Sequence, residues 1–155
     1  MHVTIRQLII TVIIMLVVLG FILLHPRTAA EGLGTMTTTE GQLLELTNGE
    51  REVGLRWNQC LAQQARKRAE FLVVNEYWAH YTADGSTPWQ FIKPCRYLTA
   101  GENLARDFDD VTELHAALMA SPTHRANITN AVYTDVGIGC YQYICVEFFT
   151  KTSSL

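Results

Sequence analysis

The chain has 155 residues, a length that suits one domain with a genuine hydrophobic core. A net charge of −3, an isoelectric point near 5.9 and the lack of any lysine or arginine run exclude the electrostatic footprint of a nucleic-acid-binding protein. An apolar fraction of 48% excludes disorder of the whole chain, although the N-terminal segment holds a disproportionate share of it.

An uncharged apolar run covers residues 8–24, at the lower length limit for a helix that crosses a bilayer. Arg6 precedes the run, and a short basic N-terminus favours retention in the cytoplasm and export of the rest of the chain. The small residues around Ala30 form a candidate cleavage site, which would make the segment a signal peptide. The run is longer than a usual signal core, so the sequence favours an anchor over a cleaved leader.

This pattern divides the chain into three parts. Residues 1–27 are expected to be a membrane anchor or signal segment, and residues 28–37, which lack periodicity, a linker. Residues 38–155 are expected to form one extracytoplasmic domain. The predicted location is therefore outside the cytoplasm, either tethered to the membrane by residues 8–24 or secreted after cleavage near Ala30.

Export changes the interpretation of the four cysteines, because thiols outside the cytoplasm are usually oxidised. Cys140 and Cys145 flank Tyr-Gln-Tyr-Ile in a predicted hairpin and are close enough to bridge, which leaves Cys60 to pair with Cys95. The longer loop would add roughly 3 to 4 kcal/mol of stability in the chain-entropy model. The alternatives are the other two pairings or four free thiols; a cysteine zinc site is disfavoured because Cys-x-x-Cys spacing is absent.

The first two helices of the domain are predicted from apolar spacing. The first has Thr39 as its N-cap, and its inward residues are Leu43, Leu44, Leu46 and Val53. The second and strongest is capped by Asn58 and ends near Asn75. Its core stripe comprises Leu61, Ala65, Ala69 and Leu72. The chain then enters the polar turn that holds His80.

Two further helical segments follow. Thr87-Pro88-Trp89-Gln90 has the pattern of a capping box with proline at the first helical position, so a short helix should run toward Lys93. Asp109 or Asp110 caps a third substantial helix. Its expected inward residues are Val111, Leu114, Leu118 and Met119. Ser121-Pro122 ends that helix and caps another turn, which holds His124.

The last segment changes character. Short β-branched and aromatic runs at 135–139 and 144–150 predict an antiparallel hairpin. Helices therefore come first and strands last, an order that favours an α+β fold with helices packed on an antiparallel sheet over a doubly wound α/β fold.

Three residues are candidates for chemistry: His80, Glu102 and His124. They are separated by about twenty residues at each step, so no local metal-binding spacing exists and only the fold can bring them together. In the purely structural alternative, His80 caps a turn, Glu102 bonds backbone amides, and His124 sits in a capped helical turn.

Four ordered sequence blocks resemble the signature of the CAP superfamily, which includes cysteine-rich secretory proteins, antigen 5 and plant pathogenesis-related proteins. The blocks are His80-Tyr-Thr-Ala-Asp-Gly with Thr87-Pro88, Ala100-Gly-Glu-Asn-Leu-Ala105, Met119-Ala-Ser-Pro-Thr-His-Arg-Ala-Asn-Ile128 and Val136-Gly-Ile-Gly139. The chain is most similar to the bacterial SCP-like extracellular branch. The resemblance implies a three-layer α-β-α sandwich with a central antiparallel sheet and a surface cleft.

The resemblance also implies which residues line that cleft. His80 and His124 match the family's two cleft histidines, and Glu102 matches the first of its two cleft glutamates. The second glutamate is absent, because the matching positions are Leu118 and Ser121. That absence, frequent in the bacterial branch, weakens any mechanism that needs two carboxylates.

The favoured function is therefore non-enzymatic binding in the cleft. Two neutral imidazoles would hold zinc weakly and transiently, with Glu102 orienting one ring or a bound water. The resemblance also implies lipid, sterol or extracellular protein ligands. Aromatic residues near His80 would line such a surface, with at least two of them packed in the core. They are Trp78, Tyr81, Trp89 and Phe91.

Two alternatives stay open. One is a metal-dependent hydrolase or protease that uses Glu102 as base with His80 and His124. Ser121 as a nucleophile beside His124 is disfavoured, because Ser-Pro before a helix is more often an N-cap. The other is a tethered module that engages a partner by its surface alone. The glycosylation sequon at Asn127 is treated as a coincidence, and Arg125 and Asn127 are expected to anchor their loop by hydrogen bonds.

Overall fold

The computed structural model describes residues 35–152. The predicted anchor at 8–24, the cleavage site near Ala30 and most of the linker lie outside this range. Within residues 35–152, every helix is too short or too polar to cross a membrane.

Five helices and one four-stranded sheet form the described part of the domain. The helices are α1 (Thr38–Gly49), α2 (Gln59–Val74), α3 (Trp89–Ile92), α4 (Val111–Ala120) and α5 (Pro122–Ile128). The strands are β1 (Arg56–Trp57), β2 (Tyr97–Arg106), β3 (Asp135–Tyr141) and β4 (Ile144–Thr152). The sheet order is β1-β3-β4-β2, with β1 parallel to β3 and the other pairs antiparallel. The predicted α+β class is confirmed, and the two-residue β1 adds a parallel edge that was not predicted.

Two hydrophobic clusters cover the two faces of the sheet, as the alternation of side chains along β4 requires. Val146 and Phe148 belong to the cluster that includes the core stripe of α2. Phe149 belongs to the other cluster, which includes Leu43 of α1 and Leu118 of α4. Helices therefore pack on both faces of the sheet.

Two glycines on β3 bring α2 unusually close to the sheet. A Cβ atom at Gly137 would lie 2.2 Å from the backbone nitrogen of Ala62, and one at Gly139 would lie 2.1 Å from that of Arg66. Since both obstacles are backbone atoms, only glycine fits at these positions. The Val-Gly-Ile-Gly block thus sets the distance between α2 and the sheet.

Three details of the predicted helices need correction. Helix α1 is capped by Thr37 and not by Thr39, because Glu40 completes a capping box three residues after Thr37. Val53 lies beyond the end of α1 and is 77% exposed, so it is not a core residue. Helix α3 begins after Pro88 without a side-chain cap, so the predicted capping box at Thr87 does not form.

The caps and core residues predicted for α2 and α4 are confirmed, whereas Ser121 occupies the N-cap position of α5 without a side-chain capping bond. Asn58 caps α2, and Asp110 caps α4 through bonds from the amides of Thr112 and Glu113. The predicted stripe of α2 is buried, comprising Leu61, Ala65, Ala69 and Leu72. On α4, Leu114 and Leu118 are buried.

The predicted disulfides are confirmed. Cys60 pairs with Cys95 and Cys140 pairs with Cys145. The first bridge joins α2 to the segment that leads into β2, and the second closes the hairpin of β3 and β4. The first bridge therefore fixes the start of the edge strand β2 against α2, and the second fixes β4, its neighbour in the sheet, to β3.

Candidate functional site

The candidate site is built around Glu102 on β2, whose side chain is buried. Its Oε2 lies 2.6 Å from Nδ1 of His80, and its Oε1 lies 3.0 Å from Nε of Arg68. The side chain of Glu102 is 1% exposed, whereas that of His80 is 49% exposed. The carboxylate therefore holds the inner side of an imidazole whose outer side reaches solvent.

Arg68 on α2 was not predicted as a site residue. Its Nη2 donates to the carbonyl oxygens of Ala79 and His80 at 2.6 and 2.9 Å, so it fixes the turn that carries His80. Its guanidinium carbon also lies 5.8 and 5.3 Å from the ring centroids of Phe71 and Phe91, within cation–π distance. One sequence signal existed, because Arg68 is three residues after Ala65 and so lies on the buried face of α2.

The opposite face of β2 carries a second set of contacts, because successive residues of a strand point to opposite faces. Asn103 donates from Nδ2 to the carbonyl oxygen of His124 at 3.2 Å. Asn127 donates from its own Nδ2 to the carbonyl oxygen of Glu102 at 3.2 Å and to Oδ1 of Asn103 at 2.9 Å. These bonds tie α5, which holds His124 and Asn127, to the edge strand. The expected anchoring role of Asn127 is thereby confirmed.

The two histidines thus reach β2 from opposite sides of the sheet. His80 contacts Glu102 on the face covered by α2, while the backbone of His124 contacts Asn103 on the face covered by α5. The pKa of His124 is lowered, first by burial and second by electrostatic interaction with His80. Its imidazole is therefore neutral near pH 7 and lies within electrostatic reach of His80.

A surface cleft of about 340 Å³ opens beside His80. Its lining comprises His80, Tyr81, Pro88, Trp89, Ala100, Gly101, Glu102 and Asn127. The ring of His124 is not part of this lining. The structure thus brings His80 and Glu102 together at the cleft and places His124 beside it.

The aromatic residues near His80 divide into two pairs. Trp89 and Phe91 pack against the core cluster of α2, as expected for at least two of the four. Trp78 lies 4.8 Å beneath the guanidinium carbon of Arg106 and is 37% exposed, and Tyr81 is 60% exposed. Tyr81 is thus the most accessible aromatic side chain of the cleft.

Ser121 does not resemble a nucleophile. It occupies the N-cap position of α5, but its hydroxyl makes no capping bond and instead lies 3.3 Å from Oγ1 of Thr123. Among residues 35–152, no hydrogen bond joins Ser121 to an imidazole, and no group of three or more His, Cys, Asp or Glu side chains is arranged to hold a metal ion. A metal in this cleft would have two imidazole ligands at most.

Solved structures share this fold. An extracellular protein containing an SCP domain from Bacillus anthracis str. Ames has a TM-score of 0.67 at 23% identity, covering 77% of this chain and 45% of that one. An outer surface protein from Borrelia burgdorferi has a TM-score of 0.63 at 22% identity, covering 78% of this chain and all of that one (100%).

Two proteins of Bacillus subtilis strain 168 are similar in sequence. The uncharacterized protein YkwD is 30% identical over 119 residues, 73% of this chain and 46% of YkwD. The uncharacterized membrane protein YlbC is 28% identical over 121 residues, 74% of this chain and 35% of YlbC. The chain thus spans less than half the length of these relatives. The model of the cysteine-rich secretory protein family matches residues 51–150, which include both histidines, Glu102 and all four cysteines. With the fold and these matches in agreement, the chain belongs to the CAP, or cysteine-rich secretory protein, family.

Proposed function

We propose that this chain is an extracytoplasmic binding module whose cleft, lined by His80 and Glu102 with His124 beside it, takes up a ligand without chemical turnover. The observation that carries the proposal is the 2.6 Å contact between Nδ1 of His80 and Oε2 of Glu102. A carboxylate can only accept a hydrogen bond, so Nδ1 carries a proton, and in the neutral ring the outer nitrogen Nε2 then keeps its lone pair. The ring is thus prepared to accept a proton or coordinate a cation.

Zinc suits these donors better than calcium or magnesium, which prefer oxygen ligands. His80 offers Nε2, and the lowered pKa of His124 keeps its ring neutral and available at pH 7. Glu102 stands behind His80 in the manner of the carboxylates that orient metal-bound histidines. With two protein ligands, the ion would be held weakly and would keep open positions for water or a further ligand.

An apolar or peptide ligand is the second form of the same proposal. A cleft of about 340 Å³ is at the small end of ligand sites, so it accommodates one chain segment and not a whole large ligand. Tyr81 and Trp89 supply aromatic surface next to His80. Such a lining fits a lipid chain or a side chain of an extracellular partner.

An extracytoplasmic location is part of the proposal. Two disulfides in a small domain favour an oxidising compartment. The apolar run at 8–24 supplies either an anchor or a leader, and one relative is described as a membrane protein. Membrane tethering through that run is the form we favour.

A hydrolytic reaction is the competing function, and the His80–Glu102 contact is the observation that favours it. Both oxygens of Glu102 are engaged, one by Arg68 and one by His80, so Glu102 is poorly placed to take a proton from water itself. The base would be Nε2 of His80, with Glu102 stabilising the imidazolium that forms. This assignment revises the expectation that Glu102 acts as the base.

Calorimetric titration of the full-length chain with zinc tests the metal form. We expect heat of binding in the wild type and its loss in His80→Ala and in His124→Ala. His115→Leu is the matched control, because His115 is buried on α4 away from the cleft and should leave the heat unchanged. Equal heats in all four proteins would refute zinc binding by the cleft.

A second experiment separates binding from catalysis. Lipid extracted from protein purified without detergent, and lost in Tyr81→Ala, would support an apolar ligand. Peptide cleavage that depends on added metal and disappears in His80→Gln and Glu102→Gln would instead establish the hydrolase. The binding proposal predicts no such cleavage.

A further inference from the structure

Glu147 on β4 is a second buried carboxyl group, and the candidate site does not use it. The residue is 1% exposed and faces the side of the sheet covered by α1. Thr47 of α1 donates its hydroxyl to Oε1 at 3.2 Å, and Asn103 of β2 donates from Nδ2 to Oε2 at 2.9 Å. Ile138 is its neighbour on β3.

Asn103 connects this carboxyl group to α5. Its amide nitrogen donates both to Glu147 and to the carbonyl oxygen of His124, so both of its N–H groups are used. Its Oδ1 accepts from Asn127, whose second N–H group bonds the carbonyl oxygen of Glu102. A continuous chain of side-chain amides therefore runs from Glu147 to the backbone of both His124 and Glu102.

The orientation of this chain is not determined by the two asparagines alone. An amide group can turn over and exchange its donor and acceptor ends, so neighbours that only accept decide which end they meet. A carboxylate oxygen accepts only, so it compels Asn103 to present Nδ2, which leaves Oδ1 for Asn127. Glu147 and the carbonyl oxygens of His124 and Glu102 thus give the amide chain its direction together, and Glu147 is the one side chain among these three acceptors.

We propose that Glu147 is a positioning residue for the cleft: it is the acceptor side chain that holds the Asn103 amide in this orientation and, through Asn103 and Asn127, the placement of α5 and His124 beside His80. An effect of Glu147 on ligand binding rests on the proposed function of the cleft. The placement of α5 and His124 by Glu147 does not.

The surroundings of Glu147 make this positioning of the amide chain sensitive to pH. Its hydrogen-bond partners are neutral, and no charged group contributes to its shifted pKa, which burial raises to about 7. The neutral acid can donate to the hydroxyl of Thr47 and still accept from Asn103, but the bond to Asn103 is then weaker than the charge-assisted bond to the carboxylate. Ionisation of Glu147 therefore strengthens its hydrogen bond from Asn103 and fixes the orientation of the amide chain more firmly.

Nuclear magnetic resonance of the isotope-labelled full-length chain, free of metal, tests the proposal. In the wild type we expect the side-chain amide signals of Asn103 and Asn127 and the ring signals of His124 to shift together as the carboxyl carbon of Glu147 titrates. In Glu147→Gln the common pH-dependent shift should vanish. The side-chain amide hydrogens of Asn103 and Asn127 should still exchange slowly with solvent, because glutamine accepts from Asn103 and donates to Thr47. In Glu147→Leu the same amide hydrogens should exchange rapidly with solvent, and the chemical shifts of the His124 ring should differ from those of the wild type.

Thr47→Val is the matched control, since it removes the other partner of the same carboxyl group and leaves the bond to Asn103. It should change the titration midpoint and preserve the coupled shifts. The proposal is overturned if Asn127 and His124 keep wild-type signals in a folded Glu147→Leu variant. Should that variant not fold, wild-type signals of Asn103 and His124 that ignore the titration of Glu147 overturn it equally. Zinc titration of these variants is a separate experiment. A wild-type protein that does not bind zinc would contradict the proposed function, whereas the NMR signals alone decide the positioning role of Glu147.

Discussion

Two buried glutamates, on neighbouring strands and opposite faces of one sheet, show how the choice of partner determines the use of a carboxyl group. Glu102 is held by the guanidinium of Arg68 and the imidazole of His80. Glu147 is held by the hydroxyl of Thr47 and the amide of Asn103, both neutral. The first arrangement surrounds the carboxyl group with basic side chains and orients a histidine. The second surrounds it with neutral donors, and burial raises the pKa of Glu147 to about 7.

The largest predicted effect removes the cation beside Glu102. Arg68→Leu should destabilise the domain by about 3 to 5 kcal/mol, because a buried carboxylate would lose its charged partner. Urea unfolding monitored by circular dichroism measures the change. Arg68→Leu combined with Glu102→Gln is the control and should recover part of the loss, since no buried charge is then left unpaired. A loss below about 1 kcal/mol in the single variant would show that the pair is not coupled in this way.

The second prediction concerns the pH dependence due to Glu147. A folded-state pKa raised from 4.5 to about 7 makes the ionised form unfavourable in the fold. Its stabilising contribution is complete below pH 4.5 and is lost as the pH rises through about 7. The shift corresponds to about 3 kcal/mol between these limits. Unfolding free energies measured from pH 5 to 8 should reveal this fall.

Glu147→Gln isolates that contribution, because the variant cannot titrate at this position. His124 acts in the opposite direction, since its lowered pKa makes it lose stability as the pH falls. The contribution of His124 cancels in the difference in unfolding free energy between wild type and Glu147→Gln. That difference should still change with pH. A difference that is flat from pH 5 to 8 would contradict a titrating Glu147.

The smallest predicted effect removes the hydroxyl of Thr47. Thr47→Val should cost about 1 kcal/mol at pH 8, the usual net value of one hydrogen bond. The hydroxyl lowers the pKa of Glu147, so its removal should move the titration of Glu147 to higher pH. Carboxyl carbon shifts measure the midpoint, and Thr39→Val, at a half-buried position of α1, is the control for the substitution itself. A midpoint moved to lower pH would contradict the contact.

Local patterns predicted the elements whose signal lies within a few residues. The stripe of α2 from Leu61 to Leu72 repeats at helical spacing, and Asn58 precedes it as a cap. The hairpin of β3 and β4 is evident from two short β-branched runs, and it placed Cys140 opposite Cys145. The motif blocks likewise identified His80 and Glu102, which the structure brings into contact.

Strand β2 was not predicted, because its central residues 101–105 are buried on both faces and show no alternation. Arg68 was passed over because a charged residue on a helix is usually solvated, and its burial requires Glu102 from a strand 34 positions away. Glu147 was missed for the same reason, since its partners come from α1 and β2.

Residue type and spacing were enough to predict the α+β class, the main helices, the Cys140–Cys145 bridge and the residues that resemble a family cleft, because that information is local. The Cys60–Cys95 bridge spans 35 positions and was predicted only by elimination. The meeting of His80 with Glu102 on one face of β2, while Asn103 holds His124 on the other, became known only from the tertiary structure. The tertiary structure alone also showed that Glu102 faces basic side chains and that Glu147 faces neutral donors. The environment of a buried carboxyl group comes from elements distant in sequence, and no local pattern records them.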